Sequence, residues 1–532
     1  MSRRYFNSLV GATLAASLLA PVAAAQRATQ SGNVPKLVVF LAVDQLRADY
    51  FERFLPQLTG GLGRLYRGGA VFTRAYHDHA ITETAPGHSV MLSGRFPGHT
   101  GIVTNSLGVP DPQTALIGGG GDGASPFRFR GTVLIDWLRM NDPRSRALSV
   151  SRKDRGAILP MGRAHQSVFW YATDGRFTTS SYYADTLPAW VQRFNARKIP
   201  QSYAGKAWTL LLPATAYPEP DTVEFENGGK DYVFPHQLPA DPVQVARTFA
   251  SYPMMDSLTA QMALEGVNAM QLGTGPQTDL LSVSFSTTDG VGHSFGPDSR
   301  EIHDQIVRLD RYMGAFIDSL YKLRDSTTIA IALTADHGAQ PNPEVRAMRE
   351  HVPAVRVPVS ATVAEARKAL QAAGAKGDPI RYEEGVVLLR RESLAGTAIK
   401  ADSALEAIAG TLRRLNGVAR VDLVRDLAKA DTTRDVVARR WLHMLPADFD
   451  ADLVASLAPY AYNAGNTVAT HGTPNDLDAH VPMIFYGPWF NTGKFDQPAL
   501  VADLAPTLAA IAEVTPSEKL DGRVRTEAIR KR

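Results

Sequence analysis

The chain has 532 residues, of which 44% are hydrophobic and 20% are charged, a composition typical of a folded globular protein. Its net charge of +3 comes from 56 Lys and Arg against 53 Asp and Glu, a balance that does not favour a nucleic-acid partner. The chain contains no cysteine, which excludes disulfides, thiol chemistry and cysteine-ligated zinc. Any metal site must therefore be built from His, Asp and Glu.

The chain begins with the pattern of an export signal. Arg3 and Arg4 give a positive start, an apolar run follows from Leu9 to Val22, and Ala23-Ala24-Ala25 offers a cleavage site. We therefore predict a signal peptide over 1–25 and a polar linker over 26–35. A membrane anchor is disfavoured because the run is short and alanine-rich, whereas a spanning helix needs about 20 apolar residues. Because the arginine pair also resembles a twin-arginine signal, both export routes stay open, and the mature protein is predicted to be periplasmic or secreted.

Four continuous apolar and β-branched runs are typical of strands buried on both faces of a parallel sheet: 36–43, 280–285, 328–334 and 481–486. Helical patterns separate them, such as the one over 304–323. This alternation predicts that residues 36–532 form an α/β domain with a doubly wound, mostly parallel sheet and helices on both faces. Two intervals lack this alternation of strands and helices, about 160–245 and 340–465. We interpret them as insertions that cap the active site and not as separate domains.

Acidic residues and histidines follow three of these strands, at the edge where such sheets bind their ligands, and a further histidine precedes the fourth strand. The segments concerned contain Asp44, Asp289 with His293, Asp336 with His337, and His471. Three carboxylates and three imidazoles suit two catalytic zinc ions, since each takes about three protein ligands. A single Asp after a strand is more often a helix cap, so this prediction depends on the joint occurrence of the four segments.

Thr84 begins a Thr-Ala-Pro-Gly-His sequence that is typical of a turn followed by a helix. One interpretation is that its hydroxyl only caps the helix. The other is catalytic, because a helix N-terminus favours phosphate and a neighbouring zinc lowers the pKa of a hydroxyl. Five histidines near these segments are expected to be mostly structural or to support the ligands: His77, His79, His88, His99 and His480.

Together these motifs resemble the alkaline phosphatase superfamily, and within it the bacterial threonine-nucleophile (PafA-like) phosphatases. The resemblance extends from Val38 to about Trp489 and includes the segments Val43–Arg47, Thr84–His88, Thr104-Asn105, Lys153–Ala157, Asp289–His293, Asp336–Gly338 and His471–Thr473.

The resemblance implies a two-zinc phosphomonoesterase. One zinc would be held by Asp289, His293 and His471, and the other by Asp44, Asp336 and His337. Thr84 would be the nucleophile and form a phosphothreonine intermediate. The phosphoryl oxygens would be held by Asn105, Lys153 and Arg155. We expect small-molecule phosphate monoesters as partners, no nucleic acid, no membrane contact after signal removal, and a monomer.

The main alternative is a nucleotide pyrophosphatase/phosphodiesterase-like diesterase of the same superfamily. Lys153 and Arg155 favour the monoester, because a diester carries one negative charge fewer and a bulky group in place of one oxygen. A sulfatase is disfavoured, since its nucleophile derives from Cys or Ser, and a metal-independent phosphomutase would need a different residue set. A non-catalytic periplasmic metal- or phosphate-binding protein is the remaining alternative.

Overall fold

A computed structural model describes residues 34–119, 122–465 and 468–531. The predicted signal peptide and all but the last two residues of the predicted linker lie outside these ranges. Among the helices within them, none is long and apolar enough to cross a membrane.

The central sheet has ten strands in the described part of the chain. We number them β1 to β10 in chain order: Leu37–Val43, Ala70–Tyr76, Ala147–Ser151, Ser167–Tyr171, Phe177–Thr178, Asp279–Phe285, Ile329–Thr334, His480–Tyr486, Gly493–Phe495 and Ala499–Leu500. Their order across the sheet is β9-β2-β8-β7-β1-β6-β3-β4-β5, and β10 pairs with β2. The five strands from β7 to β4 in this order are mutually parallel.

The predicted mostly parallel α/β sheet is confirmed. All seven residues of β1 are buried, so both faces of the sheet must be covered. The four predicted strands differ from β1, β6, β7 and β8 by at most one residue at either end. β8 runs antiparallel to β7. The chain re-enters the sheet at the edge that holds the carboxyl end of β7, so β8 runs in the opposite direction.

Helices pack on the sheet in two groups. One group contains Gly61–Gly68, Met254–Ala269 and Arg300–Leu323, and the other contains Thr84–Met91, Leu134–Asn141 and Leu504–Ile511. Arg300–Leu323 begins earlier than the predicted 304, because the Ser299 side chain caps it by accepting a hydrogen bond from the Ile302 amide. Shorter helices include Asp49–Phe54, Pro97–Thr100, Asp154–Ile158, Ala189–Ala196, Pro242–Thr248 and Thr287–Phe295.

The interval 160–245 is not wholly outside the sheet. β4 and β5 both lie within it and extend the central sheet. Beyond them it holds short helices and a two-stranded ribbon, Ala207–Trp208 with His236–Gln237. A second ribbon pairs Pro110–Ala115 with Asp122–Ala124.

The second predicted insertion forms a lobe, which we define as residues 343–463. Its four-stranded sheet has the order Ile380–Glu383, Val386–Leu389, Leu453–Leu457, Val418–Leu423. Its helices are Pro343–Glu350, Val359–Ala372, Ala401–Arg413, Val424–Leu427 and Val436–Met444, and a ribbon pairs Val355–Val357 with Ala461–Asn463. The lobe has its own apolar cluster around Ile380 and Leu405. A further cluster packs Val386 and Trp441 of the lobe against Ile81, three residues before Thr84.

Candidate active site

The predicted ligands converge because neighbouring strands end level with one another. Val43 at the end of β1 pairs with Phe285 at the end of β6, and Ala42 pairs with Thr334 at the end of β7. The segments that follow these three strands carry Asp44, Asp289, His293, Asp336 and His337. His471 reaches the same edge from the other direction, just before the antiparallel strand β8.

The first group of ligands consists of Asp44, Asp336 and His337, all fully buried. His337 Nε2 lies 3.6 Å from Asp44 Oδ1 and 3.7 Å from Asp336 Oδ2. Nδ1 of this ring lies 3.0 Å from the Gly338 carbonyl, which can only accept, so Nδ1 carries the proton and Nε2 presents a lone pair. Asp44 Oδ1 and His337 Nε2 have no hydrogen-bond partner among the described residues.

The second group consists of Asp289, His293 and His471. Asp289 and His293 lie one turn apart on the helix Thr287–Phe295, and His293 Nε2 is 3.2 Å from Asp289 Oδ1. His471 Nε2 is 3.5 Å from the same oxygen and 3.3 Å from His293 Nε2. The Nδ1 atoms of His293 and His471 donate to the carbonyls of Ala469 and Thr82. Both Nε2 lone pairs therefore face one carboxylate oxygen.

The two groups adjoin. The rings of His337 and His471 stack with 3.5 Å between their centroids. Atoms capable of ligation lie within 4.8 Å of one another in two sets, which are Asp44, Asp336, His337 and Asp289, His337, His471. All six predicted ligands are therefore brought together, but His337 is within reach of both sets, so their division between two ions stays a prediction.

The donors fit a divalent cation of the zinc type. Carboxylate oxygens and imidazole nitrogens are the ligands that zinc accepts in a protein without cysteine. Lone pairs that face one another in a buried site repel unless a cation lies between them. Each of the three rings also donates a hydrogen bond from its other nitrogen, Nδ1, to a backbone carbonyl. Such bonds orient histidine ligands towards a metal.

Lys153 lies between these carboxylates and the predicted nucleophile. Its Nζ is 2.7 Å from Asp44 Oδ2 and 2.6 Å from Asp289 Oδ2. The same nitrogen donates to Thr84 Oγ1 at 3.1 Å. The side chain is 8% exposed, so its charge acts where water screens it little.

Thr84 is the first residue of its helix and is buried. The residue at the cap position is Glu83, and no side chain caps this helix end, so Thr84 does not serve as the helix cap. Its hydroxyl faces Lys153 instead.

The other two predicted phosphoryl ligands are Asn105, which contacts this helix end, and Arg155, whose charge partly offsets the burial that raises the pKa of Glu83 at the cap position. Asn105 Oδ1 accepts a hydrogen bond from the Ala85 backbone amide at 2.9 Å, and the Asn105 backbone amide donates to Glu83 Oε2 at 2.7 Å. Arg155 lies on the helix Asp154–Ile158, which begins directly after Lys153. Its Nη1 is 3.5 Å from Asp154 Oδ1. Its Nε is buried without a hydrogen-bond partner in the described part of the chain.

The site's charges shift one another's pKa values. Burial, together with Asp289 and Asp336, raises the pKa of Asp44. Burial acts in the same direction on Asp289, but Lys153 and His293 outweigh it and hold the pKa of Asp289 well below its usual value. Burial lowers the pKa of His337, and the neighbouring His471 adds to this effect.

Gln45, two residues after the end of β1, contacts the site although the sequence alone assigns it no role. Its backbone amide donates to Asp336 Oδ1 at 3.0 Å and its side chain donates to Asp289 Oδ1 at 3.2 Å, so it contacts one ligand of each group. A side chain at Gly292 would collide with it, because a Cβ there would lie 1.7 Å from Gln45 Oε1. The signal in the sequence is its place within the segment Val43–Arg47, directly after Asp44.

His88 supports the site, as expected of the nearby histidines. Its Nδ1 lies 3.2 Å from Asp336 Oδ2 and its Nε2 is hydrogen-bonded to Ser284. Three of the other four are hydrogen-bonded to groups that are not ligands: His77 to the Ala335 carbonyl, His99 to Asp521, and His480 to the Thr73 carbonyl. The ring of His79 packs against that of His77.

The chain belongs to the type I phosphodiesterase/nucleotide pyrophosphatase family, which it matches over residues 38–401. Within this family its resemblance to bacterial alkaline phosphatases is confirmed. It is 30% identical to alkaline phosphatase PafA of Elizabethkingia meningoseptica over 93% of this chain and 94% of that protein. It is 31% identical to alkaline phosphatase PhoK of a Sphingomonas species over 92% of this chain and 90% of that protein.

Solved structures agree with this placement. The crystal structure of PafA superimposes with a TM-score of 0.86 at 28% identity, covering 93% of this chain and 99% of that chain. Murine ectonucleotide pyrophosphatase/phosphodiesterase 5 superimposes with a TM-score of 0.52 at 14% identity, which shows a shared fold alone.

Proposed function

We propose that this protein is an exported alkaline phosphatase that hydrolyses phosphate monoesters with Thr84 as its nucleophile and two zinc ions as cofactors. The observation that carries the proposal is the contact between Lys153 Nζ and Thr84 Oγ1 at 3.1 Å, beside the six converging ligands. A hydroxyl, a cation and a cluster of metal-binding side chains in one buried place are what phosphoryl transfer requires. The relatives named as alkaline phosphatases support the same reaction class.

The six ligands Asp44, Asp289, His293, Asp336, His337 and His471 would hold two zinc ions, whose positive charge favours oxyanions at Thr84 and at the leaving oxygen. The residues of the chain supply the remaining interactions. Lys153 places a positive charge at Thr84 Oγ1, which favours the ionised form of the hydroxyl. Arg155 can bind two phosphoryl oxygens with its planar guanidinium, and the side-chain nitrogen Nδ2 of Asn105 can donate to a third.

Two displacements complete the reaction. In the first, Thr84 Oγ1 loses its proton and forms a bond to phosphorus while the bond to the alcohol oxygen breaks, and the alcohol leaves after taking up a proton. In the second, water attacks the phosphothreonine, the Oγ1–phosphorus bond breaks, and inorganic phosphate leaves as Thr84 regains its proton. Two inversions give net retention at phosphorus.

Diester hydrolysis is the second candidate, because the family that the chain matches is named for phosphodiesterases. Lys153, which contacts Thr84, and the nearby Arg155 argue against it. A monoester dianion offers three oxygens with two charges, whereas a diester offers two oxygens with one charge and would place a substituent against Lys153 or Arg155. A non-catalytic metal- or phosphate-binding role is the third candidate, and it predicts zinc binding without hydrolysis.

The proposal also includes export of the protein and a monomeric state. The N-terminal pattern supports cleavage after Ala25, so protein recovered from the periplasm or medium of a bacterial host should begin at Gln26. The mass of the intact protein tests this prediction. An unprocessed cytoplasmic protein would contradict export without affecting the proposed chemistry.

Trapping the intermediate tests the nucleophile. Zinc-loaded protein is mixed with an aryl phosphate monoester, quenched in acid, digested and analysed by mass spectrometry. We expect a phosphopeptide whose phosphate lies on Thr84, none in Thr84→Ala, and a phosphoserine peptide in the conservative Thr84→Ser variant. Turnover in the wild type with phosphate on another residue, or full activity of Thr84→Ala, would refute the assignment.

A further inference from the structure

Two of the proposed metal ligands lie at the base of the lobe, where the chain enters and leaves it. His337 comes just before the lobe and His471 just after it, so the whole lobe separates these two ligands along the chain. An insertion does not by itself restrain the distance between its ends, and bringing those ends together costs conformational entropy. Contacts at the base of the lobe must therefore hold the two ligands beside each other.

The side chain of Asp478 makes such contacts. Asp478 is fully buried and lies two residues before β8. Its Oδ2 accepts hydrogen bonds from the Thr473 backbone amide at 3.0 Å and from the Thr473 hydroxyl at 2.6 Å. The same oxygen accepts a third hydrogen bond from Gln340 Nε2 at 3.2 Å. Because Thr473 is two residues after His471 and Gln340 is three residues after His337, one carboxylate oxygen joins the two loops that carry these ligands.

The backbone of Asp478 contacts the His337 loop a second time. Its carbonyl accepts a hydrogen bond from the Gly338 amide at 2.6 Å. A Cβ at position 338 would lie 2.4 Å from the Leu477 carbonyl oxygen, so the two segments touch and position 338 requires glycine. His337 donates from Nδ1 to the carbonyl of the same Gly338. The position of Gly338 therefore affects the orientation of the His337 ring.

Thr473 connects Asp478 to the other ring. The Thr473 carbonyl accepts a hydrogen bond from the Thr82 hydroxyl at 2.9 Å, and the Thr82 carbonyl accepts one from His471 Nδ1 at 2.7 Å. The loop that carries His471 is therefore held by Thr82 on one side and by Asp478 on the other. A shift of Thr473 would move both the ring and the carbonyl that orients it.

We propose that Asp478 is a positioning residue that fixes the distance between His337 and His471 and thereby sets the affinity of the site for zinc. It acts through Thr473, Gln340 and Gly338, which belong to the two ligand loops. The inference rests on the zinc cofactors of the proposed function and adds a residue that determines how tightly they bind.

Competition for zinc tests the proposal. Zinc-loaded protein is equilibrated with a chromophoric chelator, and the zinc that remains bound is measured by elemental analysis. We expect Asp478→Ala to weaken zinc binding by about 10–100-fold, the usual effect of losing a group that orients a metal ligand. Asp478→Asn keeps an oxygen that can accept from Thr473 and Gln340, so it should weaken zinc binding less, by about 3-fold.

Asp310 offers a matched control. Its carboxylate is also fully buried and accepts hydrogen bonds from two backbone amides, those of Gly60 and Gly63. These bonds join the helix Arg300–Leu323 to the start of the helix Gly61–Gly68, and neither helix carries a proposed ligand. Asp310→Ala should therefore lower Tm but keep the zinc affinity of the wild type.

The outcomes separate this inference from the proposed function. Two zinc ions in the wild type with unchanged affinity in Asp478→Ala overturn the positioning role and leave the proposed function standing. An equal loss of zinc affinity in Asp310→Ala also overturns it, because lower stability would then explain the effect. A wild type that binds no zinc overturns both.

A second variant decides the question should Asp478→Ala fail to fold. Thr473→Val removes the hydroxyl that donates to Asp478 and keeps the shape of the side chain. We expect zinc binding to weaken by about 5-fold in this variant, and unchanged zinc binding would overturn the proposal.

Discussion

The ammonium nitrogen of Lys153 lies 3.1 Å from the hydroxyl oxygen of Thr84. The same nitrogen lies within 2.7 Å of carboxylate oxygens of Asp44 and Asp289, so one side chain contacts the proposed nucleophile and both groups of proposed metal ligands. We therefore expect a change at Lys153 to affect both the proposed nucleophile and the proposed ligands.

We expect Lys153→Ala to lower kcat/KM for a phosphate monoester by about 100-fold, since one charged donor to the transferring group is lost. Lys429→Ala, which removes an exposed cation of the lobe, is the matched control and should behave as the wild type. Steady-state kinetics at matched zinc content measure the effect. A loss of less than about 3-fold would show that Lys153 only neutralises the carboxylates.

Glu383 is predicted to position Asn105. Its Oε1 accepts a hydrogen bond from Thr104 at 2.7 Å and another from the Ser106 hydroxyl, so the lobe fixes both neighbours of Asn105. We expect Glu383→Ala to raise KM and to weaken inhibition by inorganic phosphate by about 10-fold, with a smaller change in kcat. Glu392→Ala, at an exposed position of the lobe, is the control. Equal effects of the two variants would refute this role.

Removal of the metal should inactivate and destabilise the protein. Without a cation, Asp44, Asp289 and Asp336 raise the cost of burying one another's charge, as the raised pKa of Asp44 shows. We expect dialysis against a chelator to abolish hydrolysis and to lower Tm, by about 1 °C for each kcal/mol lost in a protein of this length. Added zinc should restore both quantities, with two ions bound by elemental analysis. An unchanged Tm and rate after chelation would contradict the metal site.

Acid should destabilise the fold through His77. Burial lowers the pKa of this ring to about 4 from its ordinary 6.5, so the unfolded chain binds the proton more tightly than the folded protein. The contribution of the neutral His77 ring to the free energy of unfolding is therefore complete above about pH 6.5 and is lost as the pH falls towards 4. In metal-free protein, the wild type should lose about 2 kcal/mol more unfolding free energy between pH 7 and 5 than His77→Gln, which keeps a donor but does not titrate.

Urea titrations at the two pH values provide this comparison. His165→Gln, which changes an exposed histidine, is the control and should lose as much stability as the wild type. The same loss in His77→Gln as in the wild type would show that His77 does not titrate with unfolding.

Much of the site was predictable because the sheet alone determines it. Asp44, Asp289 and Asp336 each follow a strand whose continuous apolar sequence marks it as buried, and parallel neighbours bring such strand ends together. His471 was a candidate by its residue type alone, because it precedes an antiparallel strand and does not follow a parallel one.

Other parts could not be derived from local sequence. Gln45 makes its two contacts with residues far along the chain, so no periodicity marks it. The lobe's strands are short, and its core forms from segments such as Ile380 and Leu405 that give no common signal. β4 and β5 lie in an interval rich in Tyr and Trp, where aromatic composition obscured two strands of the central sheet.

The most direct test of the central claim compares kcat/KM for an aryl phosphate monoester with that for its methyl diester, in zinc-loaded wild type and in Lys153→Ala/Arg155→Ala. A control variant, Lys429→Ala/Arg434→Ala, removes two exposed cations of the lobe. The account predicts a strong preference for the monoester in the wild type and the control, and a loss in the double variant that falls mainly on the monoester. A preference for the diester would contradict it and identify the protein as a phosphodiesterase. An unchanged ratio in the double variant would contradict the role of Lys153 and Arg155 in selecting the monoester.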